Sequence, residues 1–144
     1  MLNLASLFTD GAVLQRRKTI PVWGWAGRGH IVSAELAGRK VFSRASRNGA
    51  FMLRLPAMEA GGPFELVVAD ADTGETAVVR DILVGEIWIA SGQSNMEYPL
   101  HGHWNKEDDR FDKMPQEEDF LARLAKVDGD RLRFVKVTDR KSVV

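Results

Sequence analysis

Turn-forming residues interrupt the first half of this chain so often that no apolar run there is long enough for an ordinary helix. Short strands separated by turn signals at intervals of about 8–12 residues are typical of antiparallel sandwiches. We therefore predict an all-β N-terminal part, a β-sandwich of the jelly-roll or immunoglobulin-like kind. Its predicted strands are Ile20–Ala26, Ile31–Leu36, Val41–Ser46, Ala50–Leu55, Phe64–Ala69 and Glu75–Val79.

Two local patterns support strands in this half. Residues 51, 53 and 55 are apolar and alternate with Met52 and Arg54, which is typical of a half-buried strand. Asn48-Gly49 suits the positive φ angles of a tight hairpin turn, so it predicts a hairpin between the strands on either side.

The second half has a different pattern. Ile82–Ala90 is almost continuously apolar, which favours a strand covered on both faces of a parallel sheet. A helix is predicted from Pro115, followed by a strand at Arg131–Val137. Strand, turn, helix and strand begin a β/α domain, so the predicted class is α/β with domains at residues 1–81 and 82–144.

Composition excludes several classes of protein. Twenty basic residues balance twenty acidic ones, which argues against a protein that binds nucleic acid through its phosphates. No run of about 18 apolar residues is present, so no membrane span is predicted. The chain has no Cys, and its first residues do not resemble a signal peptide.

The chemically informative stretch is Gly92-Gln93-Ser94-Asn95-Met96, which directly follows the predicted buried strand. A sharp turn after a parallel strand exposes a serine hydroxyl to a base and leaves backbone N–H groups for an oxyanion. Gly92 permits such a turn, and the N–H of Ser94 is the first oxyanion donor. Ser, Asn and Gly are also ordinary turn residues, so local chemistry alone leaves a simple polar turn open.

This pentapeptide resembles the nucleophile block of the SGNH (GDSL-like) esterases, and most of all their carbohydrate O-acetylesterase branch. Further blocks resemble the N-terminal portion of the sialate O-acetylesterases and occur in that family's order. Ordered blocks are more specific than one pentapeptide. They are Val13–Arg16, Pro21–Gly24, Gly61–Leu66 and Val84–Trp88 continuing to Ser91.

The resemblance implies a β-sandwich followed by an SGNH flavodoxin-like hydrolase domain that removes 9-O-acetyl groups from sialic acids. Ser94 matches the nucleophile, and Gly92, Gln93, Asn95 and Met96 match the block that shapes its turn. The chemistry needs no metal or organic cofactor, and the resemblance implies an exported or periplasmic enzyme. Two alternatives stay open: an esterase for another acetylated glycan such as xylan, and a non-catalytic carbohydrate-binding or interaction module.

The sequence departs from the family pattern in one respect that affects catalysis. The family takes its base from an Asp-x-x-His segment, and residues 27, 98 and 100, three positions before the histidines, are Gly, Tyr and Leu. Residues 82–144 allow about two β/α units rather than a complete doubly wound sheet. We therefore expect an N-terminal fragment that is inactive by itself and that self-associates through uncovered sheet surface.

Other residues have a simpler interpretation beside a functional one. Trp104 is the best tryptophan candidate for the substrate rim, although core or lid packing is the favoured interpretation. Trp23 and Trp25 share a strand face, which predicts packing in the sandwich rather than a sugar platform.

Three polar clusters are interpreted as solvated, and no metal site is predicted. His101-Gly102-His103 lacks nearby carboxylate or thiolate ligands in an obvious spacing, so it is interpreted as a loop and not as a metal site or a local base. The acidic stretch Glu107–Asp109 with Asp112 fits no calcium loop. The basic run Arg16-Arg17-Lys18 is typical of a solvated turn.

Overall fold

Strands dominate the computed structural model, which describes residues 1–89, 103–112, 122–123, 126 and 132–133. The chain divides into two compact units, residues 1–87 and 88–144. The strands of the first unit are β1 (Asn3–Leu4), β2 (Val13–Gln15), β3 (Ile20–Trp25), β4 (Ile31–Leu36), β5 (Arg39–Arg44), β6 (Ala50–Leu55), β7 (Gly61–Asp70) and β8 (Thr76–Gly85).

The first unit contains two sheets. One has the order β1-β3-β6 and is antiparallel, with β3 and β6 in register from Ile20↔Leu55 to Trp25↔Ala50. The other has the order β2-β8-β7-β4-β5 and is antiparallel except for the parallel pair β2 and β8. The prediction that this half is built of short strands is confirmed.

Both sheets contribute to one buried apolar cluster, because alternate residues of each strand point to the same side. The three-stranded sheet contributes Ile20, Val22, Phe51, Leu53 and Leu55. The five-stranded sheet contributes Leu14, Val32, Ala34, Leu36, Leu66, Val68, Val79, Ile82 and Val84.

The predicted hairpin around Asn48-Gly49 is wrong, although the turn itself is present. Gly49 has a φ of 83°, and the N–H of Ser46 donates to the carbonyl of Ala50 at 2.8 Å. However, β5 pairs with β4 and β6 pairs with β3, so the turn carries the chain from one sheet to the other. Turn residues set the local reversal of the chain, whereas burial of Phe51, Leu53 and Leu55 decides which sheet the next strand joins.

The expected strands at Glu75–Val79 and Ile82–Ala90 are also corrected. A single strand, β8, runs through both and ends at Gly85, so position 81 lies inside a strand. Four residues of β8 (79 to 82) span three residues of β7 (64 to 66), which marks a β-bulge, and Asp81 has a φ of 56°. The extra residue restores Ile82 to the buried face, which is why two adjacent exposed residues, Arg80 and Asp81, do not end the strand.

Beyond Gly85 the predicted buried strand does not continue. Residues 86–89 have no regular secondary structure, and Ile87, Trp88 and Ile89 are 49%, 88% and 91% exposed. Apolarity alone therefore misidentified this segment, because a continuous apolar run predicts burial only where neighbouring elements cover it.

The described part of the second unit contains one antiparallel hairpin, β9 (His103–Asn105) and β10 (Arg110–Asp112). This hairpin was not predicted, because the polar residues at 101–114 favour a loop. Ala122 and Arg123 are helical, and the rest of the helix predicted from Pro115 lies outside the described residues. Of the strand predicted at Arg131–Val137, the described Leu132 and Arg133 are not in a strand.

The described residues are thus mostly β-strands in sheets, with almost no helix. No helix among them is long and apolar enough to cross a membrane.

Candidate functional site

The predicted nucleophile block, Gly92 to Met96 with Ser94, lies outside the described residues, as does His101. Trp104 lies in β9 and pairs with Phe111 of β10. The structure describes the chain up to residue 89, so it shows the contacts of Glu86 and Ile87, which follow β8 and precede the block.

A network of hydrogen bonds joins the end of β2 to the residues that follow β8. We call Gln15, Arg16, Glu86 and Ile87 the exit clamp. The parallel ladder ends at Gln15↔Gly85, after which the N–H of Arg16 donates to the carbonyl of Gly85 at 2.8 Å. Side chains then extend the ladder: Gln15 Nε2 donates to Glu86 Oε2 at 2.8 Å, and Gln15 Oε1 accepts from the N–H of Ile87 at 3.0 Å.

An ion pair completes the clamp. Arg16 Nε lies 2.5 Å from Glu86 Oε1, so each carboxylate oxygen of Glu86 has a donor. The hydrogen bonds from Gln15 and then from Arg16 lower the pKa of Glu86, which stays ionised at neutral pH. Both charged side chains are substantially exposed, so the pair adds little to global stability. Its effect is local, because it fixes where the chain leaves β8.

Arg16-Arg17-Lys18 lies in an exposed turn, as interpreted, but its first two residues also make ion pairs that the interpretation did not include. Arg16 belongs to the exit clamp, and Arg17 Nε lies 3.0 Å from Glu59 Oε2. The partners are 70 and 42 residues away in sequence, so composition could not identify them. The signal that was available is that Val13–Arg16 and Val84–Trp88 are both blocks of the family resemblance.

A second polar cluster joins His30, Asp70 and Asp72. His30 Nδ1 lies 2.8 Å from Asp70 Oδ2, and the Asp70 side chain is fully buried. Asp70 Oδ1 accepts from the N–H groups of Asp72 and Thr73, at 3.0 and 3.3 Å. Burial raises the pKa of Asp70, but the hydrogen bond to His30 and those from the backbone together hold it below its usual value.

This cluster is the only set of three candidate metal ligands in the described part of the chain, with ligand atoms within 4.8 Å of one another. Its oxygens already accept hydrogen bonds, since Asp72 Oδ2 also takes the N–H of Ile31 at 2.7 Å. The arrangement ties the turn after β7 to the start of β4, which is a structural function. Sequence reasoning missed it because the residues are about 40 positions apart.

The two tryptophans of β3 are on one face of the strand, as predicted, and Trp23 is half-buried and packs against the core cluster, as expected. Trp23 packs edge-on against Phe8, with ring centroids 4.8 Å apart and planes at 79°. Trp25 is 51% exposed, so the expectation that it packs inside the sandwich is wrong. Val22 and Gly24 occupy the buried positions instead.

The acidic stretch Glu107–Asp109 is solvent-exposed, as predicted. Glu107, Asp108 and Asp109 are exposed in the turn between β9 and β10. Asp108 Oδ2 lies 3.5 Å from Arg110, a contact within the hairpin.

Comparison with known proteins shows which proteins this sequence resembles. The chain is 33% identical over 104 residues to sialate O-acetylesterase of Rattus norvegicus, an alignment that covers 66% of this chain and 19% of the rat protein. The Homo sapiens protein of the same name is 32% identical over 104 residues, covering 66% of this chain and 20% of the relative. The Mus musculus protein is 33% identical over 113 residues, covering 72% and 21%. No family model matches the chain.

A solved structure shows the same similarity in three dimensions. The crystal structure of a carbohydrate acetylesterase from Xanthomonas citri matches with a TM-score of 0.66 and 43% sequence identity. It covers 69% of this chain and 23% of that one, so the chain spans about a fifth of the relatives that it matches. The resemblance predicted from the sequence blocks is confirmed: the chain corresponds to one part of a sialate O-acetylesterase-like carbohydrate esterase.

Proposed function

We propose that this chain belongs to an esterase that removes O-acetyl groups from sialic acids, with Ser94 as its nucleophile. The observation that carries the proposal is the similarity to proteins named sialate O-acetylesterase, in a chain that also contains Gly92-Gln93-Ser94-Asn95-Met96. The Xanthomonas citri neighbour is named only as a carbohydrate acetylesterase, so another acetylated glycan such as xylan is the second candidate substrate.

In the proposed reaction, the Ser94 hydroxyl oxygen forms a bond to the acetyl carbonyl carbon and its proton passes to a histidine base. The N–H of Ser94 stabilises the negative charge on the carbonyl oxygen. The sugar oxygen leaves with the proton, and water then hydrolyses the acetyl-enzyme to acetate and free Ser94. The base belongs to the family's Asp-x-x-His segment, a pattern that these 144 residues do not contain.

The proposed domains are a β-sandwich at residues 1–81 and the beginning of an SGNH hydrolase domain at residues 82–144. Two facing sheets with one shared core support the first of these. In this arrangement β8 spans the proposed boundary, and the exit clamp holds Glu86 and Ile87 against the end of β2.

The activity test compares residues 1–144 with the Ser94→Ala variant on p-nitrophenyl acetate. Without the base, we expect neither protein to show serine-dependent hydrolysis, since loss of a triad member costs most of the rate enhancement. Ser43→Ala, a change in β5, is the matched control for loss of one hydroxyl. Hydrolysis by the unaltered chain and by Ser43→Ala, abolished in Ser94→Ala, would show that the chain is active and that another group is the base.

The substrate test uses the chain joined to a relative's segment that contains Asp-x-x-His. We expect acetate release from O-acetylated sialic acid to exceed release from acetylated xylan and to depend on Ser94. A preference for acetylated xylan would favour the second candidate substrate over sialic acid. Acetate release that is independent of Ser94 would disprove the proposed nucleophile.

A further inference from the structure

The outer side of the three-stranded sheet carries one exposed tryptophan, Trp25, beside a half-buried one, Trp23. We call this side the tryptophan face. Alternation along β3 and β6 puts Ile20, Val22, Phe51, Leu53 and Leu55 in the core, so the intervening residues form the outer face. Those residues are Pro21, Trp23, Trp25, Ala50, Met52 and Arg54.

One residue of the tryptophan face is held in place by packing, and two others are accessible to a ligand. Trp23 is held by its edge-on contact with Phe8, while Trp25 and Met52 are 51% and 44% exposed. Trp25 is directly across from Ala50 of β6 and from Asn3 of β1, both of them small side chains, and its own side chain is 51% exposed. An indole presented in this way offers a flat apolar surface with a negative π face, to which the C–H groups of a sugar ring are attracted.

The charge on the tryptophan face has a single sign. Arg54 is its only charged residue, and the face contains no carboxylate. Among the described residues Arg54 makes no ion pair. At the other end of the face, Arg47 lies in the turn whose Gly49 carbonyl accepts the N–H of Ala26, next to Trp25. A ligand suited to this surface therefore carries negative charge beside its apolar ring faces.

The length of the face sets the size of the ligand. Ala50 and Arg54 are four residues apart on β6, which corresponds to about 13 Å along a strand. That distance exceeds one sugar ring and suits a short oligosaccharide.

We infer that the tryptophan face binds an acidic oligosaccharide, with one sugar ring stacked on Trp25 and a carboxylate paired with Arg54. Bidentate guanidinium–carboxylate pairing gives such a contact its direction. This binding does not require Ser94 or esterase activity, so it stands or fails separately from the proposed reaction. It would give the first unit a function in holding glycan chains.

The test titrates the 144-residue chain with sialyllactose, which carries a carboxylate, and with neutral lactose, while tryptophan fluorescence and indole N–H resonances are recorded. We expect saturable changes at Trp25 with sialyllactose and much weaker binding of lactose. Trp25→Ala should weaken sialyllactose binding at least about tenfold, which is about 1.4 kcal/mol. Trp25→Phe, which keeps an aromatic ring, should restore part of the affinity.

Two further variants separate stacking from charge. Arg54→Gln should weaken sialyllactose binding severalfold and leave lactose binding unchanged. Phe42→Ala removes an aromatic side chain that is 65% exposed on β5 of the other sheet, and it should change neither affinity. Equal binding of both sugars would overturn the acidic specificity. Binding that is absent, or that is unaffected by Trp25→Ala in a variant with an unchanged circular dichroism spectrum, would overturn the site.

Discussion

Asp70 shows how a single residue can join distant parts of this chain. Its side chain is fully buried beside an apolar core, and its oxygens face His30 and two backbone N–H groups of the following turn. Burying a carboxylate costs free energy unless the carboxylate accepts hydrogen bonds. Here the donors are His30, just before β4, and the backbone of the turn that follows β7. The residue therefore stabilises the fold only as long as all of those partners remain in place.

We predict that Asp70→Ala lowers the free energy of unfolding by about 2 kcal/mol, because it removes the shared acceptor of His30 and of two backbone N–H groups. Urea denaturation followed by circular dichroism measures the change. Asp72→Ala, at an exposed position that accepts one N–H, should cost clearly less. Equal losses in the two variants would contradict a special role for the buried carboxylate.

The same residue predicts a dependence of stability on pH. The folded pKa of Asp70 is lowered below the ordinary aspartate value of about 3.9, so the folded state favours the ionised form. Its contribution is therefore complete above the unfolded pKa and is lost as the pH falls through the lowered folded pKa. The stability difference between the unaltered protein and Asp70→Asn should shrink as the pH falls below about 4. A difference that stays constant from neutral pH to that range would disprove the linkage.

At the scale of elements, the turns decide how the strands are connected. The turn of the hairpin between β4 and β5 consists of two residues, Ala37 and Gly38, whose φ angles are 48° and 73°. Positive φ at both central residues is the type I′ pattern that matches the twist of paired strands. Glycine adopts such angles readily, whereas alanine does so at a cost.

Ala37→Asn should accordingly raise the free energy of unfolding by about 0.5–1 kcal/mol, since Asn-Gly is the favoured pair for this turn. The exposed Ala60 is the matched control, because it does not have a positive φ. Thermal unfolding of both variants measures the effect. A destabilised Ala37→Asn protein would show that the turn needs a small side chain at that position.

The exit clamp predicts that a change at Gln15 affects only the segment that follows β8. Gln15→Ala removes the acceptor of the Ile87 N–H, so that amide should exchange with solvent faster. Gln15→Glu keeps an acceptor oxygen for the Ile87 N–H but places a second carboxylate beside Glu86, so it should retain only part of the protection. Global unfolding should change little, because the clamp is exposed. Unchanged exchange at Ile87 in Gln15→Ala would show that the side chain does not hold this segment.

At the scale of the whole molecule, the described residues that follow β8 include a run of exposed apolar side chains. Ile87, Trp88 and Ile89 are consecutive and exposed. Exposed apolar clusters of this kind mark association sites. We predict concentration-dependent self-association of the chain in sedimentation velocity experiments.

Replacing Trp88 and Ile89 by serine should shift that equilibrium toward monomer. Phe42→Ser, which changes an exposed aromatic on β5, should have little effect. A protein that stays monomeric across the accessible concentrations, or association that the double change does not alter, would exclude this segment as the contact.

The sequence alone was sufficient to predict the class of the first half and the family of the chain. Short strands between turns follow from local backbone preferences, which the sequence contains. The family is identified by the order of short blocks along the chain, of which Gly92–Met96 is one, and that order is also a property of the sequence. Only the tertiary structure decided that the Asn48-Gly49 turn crosses between sheets, that Trp25 faces outward, and that Gln15 and Arg16 meet Glu86. The physical reason is that these outcomes depend on partners tens of residues away, and the burial of a shared core, not local propensity, selects those partners.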